Sequence, residues 1–299
     1  MINVRKLLEA GHAALAEEHA AKEEKVKGHP RVGSIGCVAN GEVYGVCHRI
    51  AHARQLGYER PIELSTDIMF KAGGEAVEWH WQRILAASGF KGTVVPHVEV
   101  SQAIEGVPLP VLGHPDLMLL EDESGQRTGI ELKGIFGATT AIQIYFGGKP
   151  KNENLIQSAA YAYFLGVPYE LWYTSASWIS LAPWDKKTYG VSNIKPFYRG
   201  FKLEWRDDVL FYKDEEATDW VETCLSVEGI LEYYRLVEEM KGGDLGPRVN
   251  ANYINGDANK WGPESNCKFC DYATACTQYE GDKDYQAWLD SLSLICRRD

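Results

Sequence analysis

A chain of 299 residues can bury a sizeable core, and 45% hydrophobic, 24% charged and 11% aromatic content is ordinary for a soluble globular protein. A net charge of −11 argues against a protein that coats nucleic acid through bulk charge, but it leaves room for a metal site, which gathers carboxylates. No apolar run reaches membrane-spanning length and the N-terminal stretch does not read as a secretory signal, so a cytoplasmic location without a membrane partner is expected.

In chain order, residues 4–26 are rich in Ala, Glu, Lys and Leu at helical spacing and predict a first helix. A loop around Gly28-His29-Pro30 follows, then a short helix over 48–56 and a longer one over 66–88, with Thr66 or Asp67 as N-cap and Gly89 as stop. The period then changes to that of strands over 93–100, 111–120 and 127–135, the last two joined as a hairpin through residues 121–126. A helix over 154–165 and a strand over 169–174 complete a mixed α/β core. Beyond it, 197–212 reads as a β pair, 216–240 as a long amphipathic helix and 242–262 as loop, before a last short helix. The organisation expected is an N-terminal segment over 1–60, a core over 61–215 and a C-terminal helical segment over 216–299, integrated as one domain.

Two apolar strands carry charges that packing does not explain. Asp116 lies in Gly-His-Pro-Asp-Leu-Met-Leu-Leu, and Glu131 and Lys133 lie in Gly-Ile-Glu-Leu-Lys-Gly. An unpaired charge in such a strand costs several kcal/mol or more, so something must balance them. If the hairpin turns symmetrically about Glu123 and Ser124, Asp116 lies opposite Glu131, with Cβ atoms roughly 5 Å apart. Strand alternation puts Glu131 and Lys133 on one face and Leu132 on the other. Two carboxylates so placed call for a hard cation, Mg²⁺ or Mn²⁺, which can activate water and stabilise charge on a phosphate. Lys133 would orient or deprotonate that water, with a pKa lowered by burial and by the metal. Gln157 and Tyr161 share a helix face four residues apart and suit hydrogen bonds to phosphate or water, although taken alone they read better as a core tyrosine and a half-exposed glutamine. Lysines 133, 149 and 151 without an intervening acid, set against the acidic stretch 207–222, suggest one locally basic groove or a solvated loop with incidental lysines.

Seven cysteines without a secretory context do not read as a disulfide framework. Cys267, Cys270 and Cys276 crowd together, which points to a metal or iron–sulfur site with a distant fourth ligand.

Asp116, Glu131-x-Lys133 and Gln157-x-x-x-Tyr161, in this order on these elements, resemble the PD-(D/E)xK nuclease superfamily, and within it the RecB-type exonucleases. The resemblance implies a restriction-endonuclease-like mixed sheet flanked by helices. It makes Glu78, in Gly-Glu-Ala-Val-Glu, a third metal ligand where RecB-type members usually have His; His80 is the competing residue. It adds the Leu132 carbonyl as a further ligand. Cys267-x₂-Cys270-x₅-Cys276 is similar to the iron–sulfur branch that includes the CRISPR-associated RecB-like exonucleases and the AddB nuclease domain. There an N-terminal cysteine completes a [4Fe–4S] cluster joining the chain's ends, and Cys47-His48-Arg49 matches its setting better than Cys37; spacing alone leaves Zn²⁺ open.

The implied activity is a Mg²⁺- or Mn²⁺-dependent DNA exonuclease acting on duplex ends or single strands. No Gly-x-x-x-x-Gly-Lys-[Ser/Thr] motif for unwinding is present, so a helicase, recombination or CRISPR adaptation partner is implied. The rivals are a non-catalytic DNA-binding or assembly subunit on the same fold and a sequence- or structure-specific endonuclease with a zinc site.

Overall fold

The computed structural model describes residues 28–58, 66–88, 91–121, 124–246, 270 and 272–295. The helix expected over 4–26, most of the loop expected over 242–262, and Cys267 lie outside them. In chain order the described elements are β1 (Gly36–Ala39), β2 (Glu42–Gly45), α1 (His48–Gln55), α2 (Thr66–Ala87), β3 (Gly92–Pro96), β4 (Val100–Ile104), β5 (Val107–Gly113), β6 (Leu117–Glu121) and β7 (Arg127–Gly134). They continue with α3 (Ala138–Tyr145), α4 (Asn152–Leu165), β8 (Tyr169–Ser175), β9 (Ile179–Ser180), α5 (Pro183–Tyr189), β10 (Asn193–Ile194), β11 (Phe197–Arg206), β12 (Val209–Asp214), β13 (Val221–Ser226), α6 (Val227–Glu239), α7 (Ala273–Asp282) and α8 (Tyr285–Ile295).

A seven-stranded mixed sheet, ordered β13-β12-β11-β8-β7-β6-β3 and flanked by helices, organises the chain. Its neighbours are antiparallel except β7 and β8, which run parallel and are joined through α3 and α4, as a parallel pair requires a crossover. Alternation along β7 divides the sheet's two faces. Ile130 and Leu132 pack with Val77 and Leu117 beneath α2, together with Trp81 and Leu85. On the other face Tyr161, Tyr169, Leu171, Tyr173 and Phe201 form the main core with α4 and α6. A third core joins Ala53 of α1 to Tyr279, Trp288 and Leu292 near the C-terminus. Among the described residues no helix is long and apolar enough to cross a membrane.

Three expected elements are corrected. The strand expected over 111–120 is the end of β5 and most of β6, interrupted at His114-Pro115-Asp116 because Pro115 has no amide hydrogen for a ladder. The strand expected over 93–100 breaks after Pro96, where His97 takes a φ of +52°. The helix expected over 216–240 is β13 followed by α6. Thr223 and Leu225 point into the core, and Ser226 caps the helix by accepting from the Gly229 N–H at 2.9 Å.

Candidate active site

The β6–β7 ladder pairs Leu117 with Ile130, so its next step sets Asp116 across from Glu131, as the hairpin count predicts. Asp116 Oδ2 accepts the Leu132 N–H at 2.7 Å, which fixes its carboxylate against β7. Glu131 is 1% exposed; Lys133 Nζ donates to its Oε1 at 2.5 Å and the Tyr169 hydroxyl donates to Oε2 at 3.4 Å. From α2, Glu78 joins the same field, with Oε2 3.8 Å from His97 Nε2. His80 is committed elsewhere: its Nε2 lies 2.9 Å from Tyr198 Oη and the two rings stack.

All three carboxyls are held above their ordinary range. Burial pushes Glu131 up to about 7, with Asp116 and Glu78 adding to the rise and Lys133 opposing it. Asp116 is raised by burial against the pull of Lys133, the Leu132 amide and His97. Glu78 is raised by burial and then by Asp116. Without a metal ion, burial alone would lower the Lys133 pKa, but the charges of Glu131, Asp116 and Glu78 outweigh it and raise it, and the ammonium donates to Glu131.

Three acids therefore face one lysine, an excess of negative charge with all-oxygen donors that suits a hard divalent cation. As the side chains stand, no group of three His, Cys, Asp or Glu among the described residues is gathered to hold a metal ion. Asp116 and Glu131 each spend one oxygen on a protein donor, the Leu132 amide and Lys133 respectively.

Tyr161 is 2% exposed, and its hydroxyl accepts the His114 N–H at 3.0 Å while bonding to Gln157. Its ring stacks on Tyr169 with centroids 6.0 Å apart. Tyr161 thus packs in the core and latches the segment that presents Asp116, with Gln157 behind it. A Cβ on Gly113 would meet Tyr161 Cε1 at 2.8 Å, so the latch needs a glycine there. Sequence reasoning missed Tyr169 and His97. The available signals were Gly129 inside β7, across from Tyr169, and the Pro96-His97 break.

Cys47 precedes α1 with the amides of Ile50 and Arg49 facing its sulfur, and burial pushes its thiol up to about 11, with Cys276 and Cys270 adding to the rise. Cys37 lies elsewhere: its thiol donates to the Ser226 carbonyl, and the thiol that acts on it is Cys224. Between the two N-terminal candidates, Cys47 is the one that neighbours Cys270 and Cys276. Beside it Arg49 donates to the Leu245 carbonyl at 3.2 Å and pairs with Glu280 at 2.6 Å, tying α1 to α7.

No family model and no curated protein matches the chain. Among solved structures, the crystal structure of SSO0001 is similar at 16% identity and a TM-score of 0.38, covering 58% of this chain and 73% of that one. A likeness that slight carries no argument.

Proposed function

We propose that the chain is a Mg²⁺- or Mn²⁺-dependent deoxyribonuclease that hydrolyses phosphodiesters at DNA ends or in single strands. One observation carries the reading: Asp116, Glu131 and Glu78 act together on Lys133, burial raises all three carboxyls, and repulsion adds to the rise at Glu131 and Glu78. A buried cluster of this kind is hard to account for without a cation. Bound by Glu78, Asp116, Glu131 and the Leu132 carbonyl, such a cation would supply an activated water and charge stabilisation at phosphorus. Lys133, as an ammonium, donates to a phosphate oxygen or to the attacking water. Tyr161 acts as a positioning residue through His114, and Gln157 supports it. Cys47, Cys267, Cys270 and Cys276 would hold a [4Fe–4S] cluster that joins the chain's ends.

Labelled single-stranded, blunt and circular DNA with Mn²⁺ tests the site. Asp116→Asn and Lys133→Ala are each expected to lower the cleavage rate by roughly a hundredfold or more. Undiminished cleavage by both variants sinks the reading, and discrete fragments from circular DNA would convert it to an endonuclease. A non-catalytic DNA-binding or assembly subunit is the second reading, favoured by the ion pair that closes Glu131 on its own lysine; it expects binding with no metal-dependent cleavage. For the cluster, protein prepared without oxygen should be brown and contain iron, and Cys270→Ala should be colourless. Zinc in a colourless parent would refute the iron–sulfur half alone.

A further inference from the structure

The parallel pair β7–β8 sends both C-terminal ends to one edge of the sheet. Lys133 lies at that end of β7, and Phe136 follows, 54% exposed. A Cβ on Gly73 or Gly134 would come within 2.9 or 2.8 Å of the Phe136 ring, so the ring lies over two glycines. At the same edge β8 ends at Ser175, paired with Phe197 where β11 begins. Residues 176–196 therefore leave and return beside the candidate site, and they carry β9, α5 and β10.

This arm presents groups that no core uses. Trp178 and Trp184 are 69% and 71% exposed. Lys186, Lys187 and Lys195 are exposed as well, with Asp185 the sole acid between residues 171 and 196. The arm is built rather than frayed. Ile179, Leu181 and Ile194 are buried, Leu181 N–H donates to the Ser192 carbonyl at 3.1 Å, and Tyr189 stacks on Phe146 with centroids 4.2 Å apart. On a chain of net charge −11, a basic patch bearing two bare indoles is complementary to a polyanion with accessible ring faces. Single-stranded nucleic acid offers both, whereas a duplex hides its bases.

We infer that residues 176–196 are a single-strand guide, in which Trp178 and Trp184 stack on unpaired bases while Lys186, Lys187 and Lys195 meet the phosphates. The strand's delivery to Lys133 rests on the nuclease reading; the binding does not. Fluorescence anisotropy with a labelled oligo-dT of about thirty nucleotides, in EDTA, reads the guide separately from cleavage. The parent is Asp116→Asn, with blunt duplex as comparator. Adding Trp178→Ala and Trp184→Ala should weaken oligo-dT binding about tenfold or more while changing duplex binding little. Lys186→Glu with Lys187→Glu should reduce the slope of log affinity against log salt by about 1.4.

Arm variants that bind oligo-dT as tightly as the parent overturn the guide, and so does a parent that does not bind it. In either case metal-dependent cleavage by the unmodified chain would leave the nuclease reading standing. Arm-dependent binding without such cleavage would keep the guide and sink the nuclease. A dimer in sedimentation that the tryptophan variants dissolve, with oligo-dT binding unchanged, assigns the arm to a second copy and also overturns it.

Discussion

Gly129 shows how one missing side chain supports a carboxylate two residues away. A Cβ there would lie 2.2 Å from Tyr169 Cε2, so the ring occupies the space above its cross-strand partner. Held between Gly129 and Tyr161, Tyr169 aims its hydroxyl at Glu131. Gly129→Ala should therefore destabilise the fold by about 1–3 kcal/mol through overpacking. In urea unfolding, combining it with Tyr169→Ala should be less destabilising than the sum of the two single changes. Strict additivity would show that the glycine serves another purpose. Asp116, Glu131 and Lys133 were legible in the sequence because charge in an apolar strand is expensive and a hairpin's register can be counted. Tyr161 was legible as a core residue but its hydroxyl's partner was not, and Tyr169 was missed, since a tyrosine's letter does not say whether its hydroxyl meets substrate, a carboxylate or a backbone amide.

Among the elements, α1, α2, β7, α4, β8 and the β11–β12 pair follow from periodicity alone. The β4–β5 hairpin escapes because Pro108 and Pro110 interrupt its second strand, and prolines argue against a ladder. They are tolerated because β4 and β5 pair in a two-stranded sheet, whose strands each have an outer side. β13 is masked by the amphipathic helix that follows it directly. Only the alternation of Thr223 and Leu225, and the capping serine after them, separate the two. α3 is rich in Thr and Ile, residues that favour strands, yet it is helical at the start of the crossover that the parallel pair demands. Topology overrides propensity here.

At the scale of the molecule, α1 and the C-terminal helices share a core with a titratable group inside it. His52 is fully buried, with Nε2 2.7 Å from Tyr285 Oη and its ring stacked 5.7 Å from Trp288. Burial lowers its pKa to about 4, helped by Lys241 and opposed by Glu238. The folded value lies below the ordinary histidine value, so this contribution is complete above about pH 6.5 and is lost as pH falls towards 4. The loss reaches about 3 kcal/mol. Urea unfolding at several pH values, compared with His52→Asn, isolates it: the raised carboxyls act in the opposite sense and are common to both proteins. Parallel pH profiles would rule His52 out as the source.

The third core also sets an order on biosynthesis. α1 emerges early, but Trp288 and Leu292, which cover it, emerge after the whole sheet. At ordinary rates of translation the interval is on the order of ten to fifty seconds. Until the C-terminal segment follows, Ala53 has only Met240 and Leu245 among the buried residues of that core to pack against, so the side that Trp288 and Leu292 cover is the last part of the three cores to close.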